Sequence, residues 1–361
     1  MKILQIIDSL SLGGSERMAV TMANAFTREG HESLLIATRT EGILKSQISS
    51  SVRYWFLNKL TSYDIISLIR LVRIINQERP DVVHAHSTSV FWSMLVKLFL
   101  PWVKVIWHHH LGLSNLVKAK PRPLIIFLSR WFYGAVMVNE RLFNWAILEL
   151  KCDRSRICYL ENFSDMQIIN RDKPEFTSNG LRILHLANFR EQKDHINLVK
   201  SLLLLKNRGV QFKAYLVGAH IDQVIANRVQ VFIKENELSD QVKVTGPSDD
   251  IGKYAMQCNV GVLSSFSEGY PVSLIEYGSF GLYIVTTNAG QCEAILGKDK
   301  YGTVVPVGNP MAFADTLQSV SNDLASAYER STAFQLHLQS KNAAKQFMDA
   351  YITTYLNWQL R

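Results

Sequence analysis

The sequence predicts an α/β fold built twice, and three observations carry that prediction. Short apolar runs rich in β-branched residues alternate with amphipathic helical stretches through almost all of the chain, the pattern of a parallel sheet with helices on both faces. The pattern lapses once, where Asp165, Arg171, Asp172, Lys173, Pro174, Ser178 and Asn179 raise the polarity, and then restarts. At 361 residues the chain is also too long for one ordinary core and suits two. The expected division is a first domain over 1–165, a linker over 166–180, a second domain over 181–342, and a closing helix over 343–361 that can pack back onto the first domain. Two Rossmann-like domains facing each other across a cleft is the economical architecture.

Each element follows from its local pattern. In the first half, strands are expected at 3–7, 33–37, 82–84, 103–107, 135–138 and 157–160. The first helix carries Met18, Met22, Ala25 and Phe26 on one face and ends near Gly30. In the second half, strands are expected at 181–187, 212–217, 242–245, 260–263 and 283–286. The last segment has Phe347, Ala350, Tyr351, Tyr355 and Leu356 at helical spacing.

Composition narrows the function classes. Apolar content of 47% and charged content of 19% are those of a soluble globular protein. The apolar stretch over 90–103 is interrupted by Lys97 and Pro101 and is shorter than the roughly 20 residues of a membrane span. MKILQIIDSL has no small-residue cleavage site, so no secretory signal is expected and the cytoplasm is the expected location. Cys152, Cys158, Cys258 and Cys292 show no C-x-x-C pairing and read as reduced, structural thiols. Net charge of +8 favours an anionic partner: nucleic acid, an acidic membrane surface or a phosphorylated small molecule. The cations form no tract, and no zinc-finger, basic-zipper or RNP pattern is present, which disfavours nucleic acid. Arg70 and Arg73 on an apolar helix, with Lys97 near Trp92 and Trp102, suit a lipid surface. Snorkelling cations on a half-buried helix explain them equally well.

Chemistry concentrates in a few segments. Glu268 and Glu276, in SEGYPVSLIE, flank a turn between a strand and a helix. A carboxylate only accepts hydrogen bonds and can take two donors from a diol, while a helix start offers N–H groups to a phosphate. Arg190 and Lys193, in LANFREQKDH, place two cations in the loop between a strand and a helix, where they can hold an anion. Gly13 and Gly14 lie between the first strand and first helix, where glycine admits positive φ and close approach of a ligand. His108, His109 and His110 follow a strand at the edge where ligands bind. Consecutive residues of an extended chain point to opposite faces, which argues against those three converging on a metal. His84 and His86 end the neighbouring strand, where an acceptor-side role competes with a purely structural one.

Five segments stand in a fixed order: IIDSLSLGGSE, VIWHHHLG, LANFREQKDH, SSFSEGYPVSLIE and YGTVVPVGNP. Together they resemble the retaining glycosyltransferases of family 4, the group 1 glycosyl transferases of GT-B fold, over nearly the whole chain. The resemblance implies a donor-binding cleft between two facing Rossmann-like domains. It implies transfer of a sugar from a nucleotide diphosphate sugar to a hydroxyl of a glycan acceptor, lipid-linked, in bacterial surface polysaccharide biosynthesis, with peripheral attachment at the inner membrane face. It assigns Glu268 and His110 to catalysis, and Gly14, Arg190, Lys193, Gly269, Tyr270, Val272, Ser273 and Glu276 to the donor. Gly13 and His86 fall on the acceptor side. The commoner family form has an arginine where this chain has Asn188, and Arg190 is the candidate to supply that charge. No Asp or Glu stands where this family would need a covalent nucleophile, which favours front-face displacement; no D-x-D ends a strand and Lys193 with Arg190 can neutralise the phosphate, so no cofactor and no divalent metal are expected. The alternatives are the same donor with a small soluble acceptor, and a non-catalytic sugar-nucleotide-binding module.

Overall fold

The structure, a computed structural model, describes residues 1–110, 123–170, 172, 176, 180–341 and 343–359. The chain divides into two compact units, Met1–Asp165 with Ala343–Arg361, and Met166–Asn342.

In the first unit the strands are β1 (Lys2–Ser9), β2 (Glu32–Thr40), β3 (Arg53–Phe56), β4 (Val82–His86), β5 (Val105–His109), β6 (Gly134–Met137) and β7 (Ile157–Tyr159). The helices are α1 (Gly14–Arg28), α2 (Ile65–Glu78), α3 (Val90–Phe99), α4 (Pro123–Ser129) and α5 (Glu140–Glu149). All strand pairings are parallel, in the order β3-β2-β1-β4-β5-β6-β7. The order reverses between β1 and β4, so the chain ends emerging there splay apart and leave a crevice at the carboxyl edge. Met18, Met22 and Phe26 of α1 bury one apolar stripe against the sheet, and Asp64 caps α2 by accepting from the Ser67 N–H at 3.0 Å.

The closing helix, Ala343–Gln359, belongs to this unit: Phe347, Tyr351, Tyr355 and Trp358 are buried beside Ile3, Phe26 and Phe163. Leu356, expected on that face, is exposed, and Trp358 takes the buried position one turn beyond Tyr355. The indole lies so close to Gly134 that a Cβ there would stand 2.2 Å from the ring.

The second unit repeats the plan. Its strands are β8 (Leu181–Leu186), β9 (Phe212–Val217), β10 (Val242–Gly246), β11 (Val260–Leu263), β12 (Tyr283–Thr287) and β13 (Gly302–Val305). They run parallel in the order β10-β9-β8-β11-β12-β13, reversing between β8 and β11. Helices α6 (His195–Asn207), α7 (Gln223–Glu235) and α11 (Pro310–Asn322) bury Leu198, Val229 and Phe313 in one core. Helices α8 (Gly252–Ala255), α9 (Val272–Ser279), α10 (Cys292–Ile295) and α12 (Leu324–Lys341) bury Ala255, Leu274, Cys292 and Phe334 in another. The closing helix is α13.

Several expectations need correction. β3 and β13 were not anticipated: each is a four-residue edge strand, too short to show alternation. β4 runs on to His86 and β5 to His109, because the pairings His86 with His108 and His109 with Met137 continue the ladder. His108 and His109 are therefore strand residues. The expected linker begins the second unit: the Ile169 N–H donates to the Ser279 carbonyl at 2.9 Å, Gln335 Nε2 donates to the Ile169 carbonyl at 2.8 Å, and Phe176 is buried in its core. Arg171, Lys173, Pro174, Ser178 and Asn179, like Leu111 and Gly112 of VIWHHHLG, lie outside the described residues.

Candidate active site

In the second unit the switch point is built from the ends of β8 and β11. The chain leaves β8 through Asn188 and Arg190 into a single 3-10 turn, Glu191–Lys193, and enters α6 at Asp194, whose side chain caps the helix by accepting from the Asn197 N–H. It leaves β11 through Ser264 and Ser265 into the Glu268 loop. Ser264 Oγ donates to the Lys193 carbonyl at 2.9 Å, and the Phe266 N–H to the Gln192 carbonyl at 3.0 Å, so the two loops are tied side by side.

That tie brings Lys193 Nζ to 2.5 Å from Glu268 Oε1, with side chains 21% and 9% exposed. Ser265 Oγ donates to the same carboxylate oxygen at 2.6 Å. The Thr287 hydroxyl at the end of β12 in turn donates to the Ser265 carbonyl. A charge-assisted bond this short and half-shielded fixes both side chains at the carboxyl edge. Gly290 closes the far side. It has φ of +58°, and a Cβ on it would fall 2.3 Å from the Glu268 carbonyl oxygen, so only glycine fits.

Tyr277 sets the frame beneath. Its hydroxyl accepts from the Leu186 N–H at 2.6 Å and donates to the Val262 carbonyl at 2.9 Å, bridging the two strands at the switch. Burial pushes its phenol well above the ordinary range, so it stays protonated and able to donate.

Pro271 stands at the N-cap of α9 in extended backbone, φ −72°, and supplies no side-chain cap. Val272 and Ser273 begin the helix, so their N–H groups have no intrahelical acceptor. Glu276 is buried one turn in. Gly269 is buried in the turn, and its carbonyl accepts from the Gln291 N–H at 3.2 Å. Tyr270 is half-buried beside it. Asn188 accepts from the Ala219 N–H at 2.8 Å, which commits its carbonyl to holding the loop after β9. Arg190 lies half-buried on the same loop, with a buried Nε that has no hydrogen-bond partner among the described residues. Thus Arg190, Lys193, Glu268, Gly269, Tyr270, Val272, Ser273 and Glu276 all belong to the two loops and one helix of a single unit's carboxyl edge.

Gly13, Gly14, His86 and His110 belong to the first unit's switch point. Gly13 is the N-cap of α1 with φ of −169°, extended backbone open to any residue, and Gly14 is not in the positive-φ region either. Conformational freedom is therefore not why glycine stands here. A Cβ on Gly13 would meet only the movable Glu16 carboxylate, and one on Gly14 would meet nothing within 4 Å. The absence of side chains leaves the backbone before α1 uncovered.

His84, His86, His108 and His110 share one face of β4 and β5. His84 Nε2 lies 2.9 Å from His108 Nδ1, and His86 Nδ1 lies 2.9 Å from His110 Nε2. Burial, then mutual repulsion among the rings, pushes these imidazoles down, His84 to about 3. All are neutral at pH 7. The argument from alternation holds for His109, which faces Trp107 and Trp145. It does not hold across strands: residues two apart on two neighbouring strands do converge, and the H-x-H spacing in both strands was the signal.

Sequence reasoning also passed over Asp8. At the end of β1 it accepts from Thr38 Oγ1 at 2.6 Å and Thr88 Oγ1 at 2.5 Å, with Lys59 Nζ at 3.4 Å. Burial alone would raise its carboxyl, but those two hydroxyls and the Lys59 charge outweigh burial and hold it below the usual range. Lys59 is in turn seated 4.1 Å over the Trp92 ring.

Comparison with known proteins agrees with this plan. The family model described as Glycosyltransferase Family 4 matches residues 12–167, and that described as Glycosyl transferases group 1 matches 166–334. The UDP-Gal:alpha-D-GlcNAc-diphosphoundecaprenol alpha-1,3-galactosyltransferase of Escherichia coli is 21% identical, over 94% of this chain and 90% of its own. The amylovoran biosynthesis glycosyltransferase AmsD of Erwinia amylovora is 22% identical, over 89% and 91%. Among solved structures, Anabaena HepE in complex with UDP-glucose superposes with a TM-score of 0.81 at 15% identity, over 98% of this chain and all of its own. With two matching family models in succession and two doubly wound units in that order, the chain belongs to the group 1 glycosyltransferases of GT-B fold.

Proposed function

We propose that the protein is a retaining, family 4 enzyme that moves a sugar from a nucleotide diphosphate sugar to a hydroxyl of a lipid-linked glycan in surface polysaccharide biosynthesis. The observation that carries this reading is the Lys193–Glu268 contact at the switch point, beside the start of α9. Without donor the two charges satisfy each other. A donor supplies a better partner to each: its diphosphate takes Lys193, and hydroxyls of its sugar donate to Glu268. Backbone N–H groups of the Gly269 to Ser273 turn meet sugar and phosphate, and Glu276 accepts from the ribose diol. Arg190 supplies the second positive charge, in place of the arginine that Asn188 replaces. Gly14 and His110 serve the same donor from the first unit, the neutral imidazole donating or accepting near the reacting carbon, and Gly13 and His86 serve the acceptor.

The acceptor oxygen attacks the anomeric carbon on the face the diphosphate leaves. The carbon–oxygen bond to the diphosphate breaks, and a departing phosphate oxygen takes the acceptor proton. Glycosylated acceptor and nucleoside diphosphate result, with the anomeric configuration kept. Lys193 and Arg190 stabilise the charge that grows on the leaving group, so the step uses no divalent metal.

Support for a lipid-linked acceptor comes from the Escherichia coli relative, named for a diphosphoundecaprenol substrate, and from the surface of the first unit. No helix of the described residues is long and apolar enough to cross a membrane. Yet Ile65, Ile66 and Ile69 of α2 and Leu98 and Phe99 of α3 are exposed, with Arg70 and Arg73 among them and Arg79 stacked 4.7 Å over Trp102. Such a mixed apolar and cationic face suits the interface of an acidic bilayer.

The test is a panel of nucleotide sugars. One should raise the melting temperature and then label a polyprenyl-diphosphate glycan, with proton NMR of the product showing the donor's own anomeric configuration. Millimolar Mg²⁺ or Mn²⁺ should leave the rate unchanged. Inversion of configuration, or a rate that depends on added Mn²⁺, would overturn the mechanism.

A further inference from the structure

We propose that His84, His86 and His108 of the first unit bind one divalent first-row transition ion, best fitted by Zn²⁺. One ring nitrogen from each lies within 4.8 Å of the others, and all three residues are buried. Two parallel strands produce the convergence: His84 and His86 are two apart on β4, and His108 faces His86 in register on β5. The proposal rests on the geometry of the rings alone and stands whether or not the reading above, which gives His86 to the acceptor and His110 to the donor, does.

Orientation supports the assignment. His86 Nε2 donates to Gln5 Oε1 at 2.7 Å, which puts its proton on Nε2 and turns the Nδ1 lone pair toward the other rings. His84 Nδ1 lies 2.8 Å from the Tyr351 hydroxyl, leaving Nε2 on the inner side. A non-ligating ring N–H held by an oxygen is the arrangement that fixes a metal-binding imidazole. The contact of His84 Nε2 with His108 Nδ1, 2.9 Å, compares with the nitrogen–nitrogen edge of about 3.3 Å that Zn–N bonds of about 2.0 Å give in a tetrahedron. A small outward turn of the rings admits the ion. His110 Nε2 lies 2.9 Å from His86 Nδ1, beside the three rings.

Ligand chemistry sets the metal. Imidazole without carboxylate suits Zn²⁺, Cu²⁺ or Ni²⁺ rather than Mg²⁺, Ca²⁺ or Mn²⁺. His108 Nε2 is buried with no hydrogen-bond partner among the described residues, so the rings alone do not satisfy one another.

The experiment uses the full chain and metal alone. Purified protein is equilibrated with Zn²⁺, freed of unbound ion and assayed for metal, and Co²⁺ is titrated while visible absorption is followed. One ion per chain and the intense bands of tetrahedral cobalt are expected. Gln5→Leu and Tyr351→Phe, which keep the ligands, should weaken binding by about 10–100-fold. His84→Gln with His108→Gln should abolish it, with circular dichroism confirming the fold. Fewer than about one ion per ten chains with unchanged cobalt spectra, which needs no variant, would overturn the proposal. So would full occupancy in a folded His84→Gln, His108→Gln protein.

Discussion

The two units share one strand order and use its reversal point differently. At the carboxyl edge between β8 and β11 the second unit sets a lysine against a glutamate and leaves both partly open. Beside the matching reversal, across β4 and β5, the first unit sets imidazoles against imidazoles, buried and neutral. The common topology decides where a crevice forms. The side chains set its chemistry: a paired cation and carboxylate in one case, neutral imidazoles in the other.

That contrast can be tested by breaking one side at a time. Glu268→Ala should lower turnover by about 10²–10³-fold while donor binding changes less, because its bonds to the sugar strengthen as the sugar loosens. Steady-state transfer assays read this, and near-normal turnover would remove Glu268 from the chemistry. Trp358→Ala should destabilise the first unit by about 3–5 kcal/mol and leave the second unit's melting unchanged. Calorimetry that shows one shared transition moving as a whole would contradict that independence.

Acid should separate the units as well. The buried histidines are held below the unfolded-state pKa of about 6.5, so the unfolded chain binds protons that the folded chain refuses. Their stabilisation is complete above that value and is lost as pH falls toward the folded pKa, about 3 for His84 and His195. Each such group costs about 1.4 kcal/mol per pH unit in that window. The first unit holds His84, His86, His108 and His110, and the second His185 and His195, so melting temperature should fall more steeply for the first unit below pH 6. Equal slopes for the two transitions would count against it.

Smaller effects probe the margins. Gly290→Ala should lower turnover by about tenfold through the Glu268 carbonyl it displaces, with little change in melting outside the second unit. Arg70→Glu with Arg73→Glu, on exposed positions of α2, should shift stability by less than about 0.5 kcal/mol. The same pair should release the protein from acidic vesicles in flotation assays. Unchanged flotation would deny α2 a role at lipid.

Much of this was legible in the sequence, for physical reasons. Parallel strands buried on both faces are continuous apolar runs, and Glu268 and Lys193 stood out because each follows such a run within a segment, SSFSEGYPVSLIE or LANFREQKDH, that carries the family resemblance. Edge strands such as β3 carry no such run. Contacts made by residues far apart, Tyr351 on His84 or Thr38 on Asp8, follow from packing and leave no spacing to read. The histidine cluster lay between these cases: the H-x-H period and both strands were visible, but not the register that sets His86 opposite His108.

The most direct test of the central claim is calorimetric titration of the active nucleotide sugar into wild-type protein, Lys193→Ala and His84→Gln. The account predicts binding at least tenfold weaker in Lys193→Ala, from losing a charge-assisted bond of about 1.5–3 kcal/mol, and unchanged in His84→Gln. Equal affinity in wild type and Lys193→Ala would contradict it.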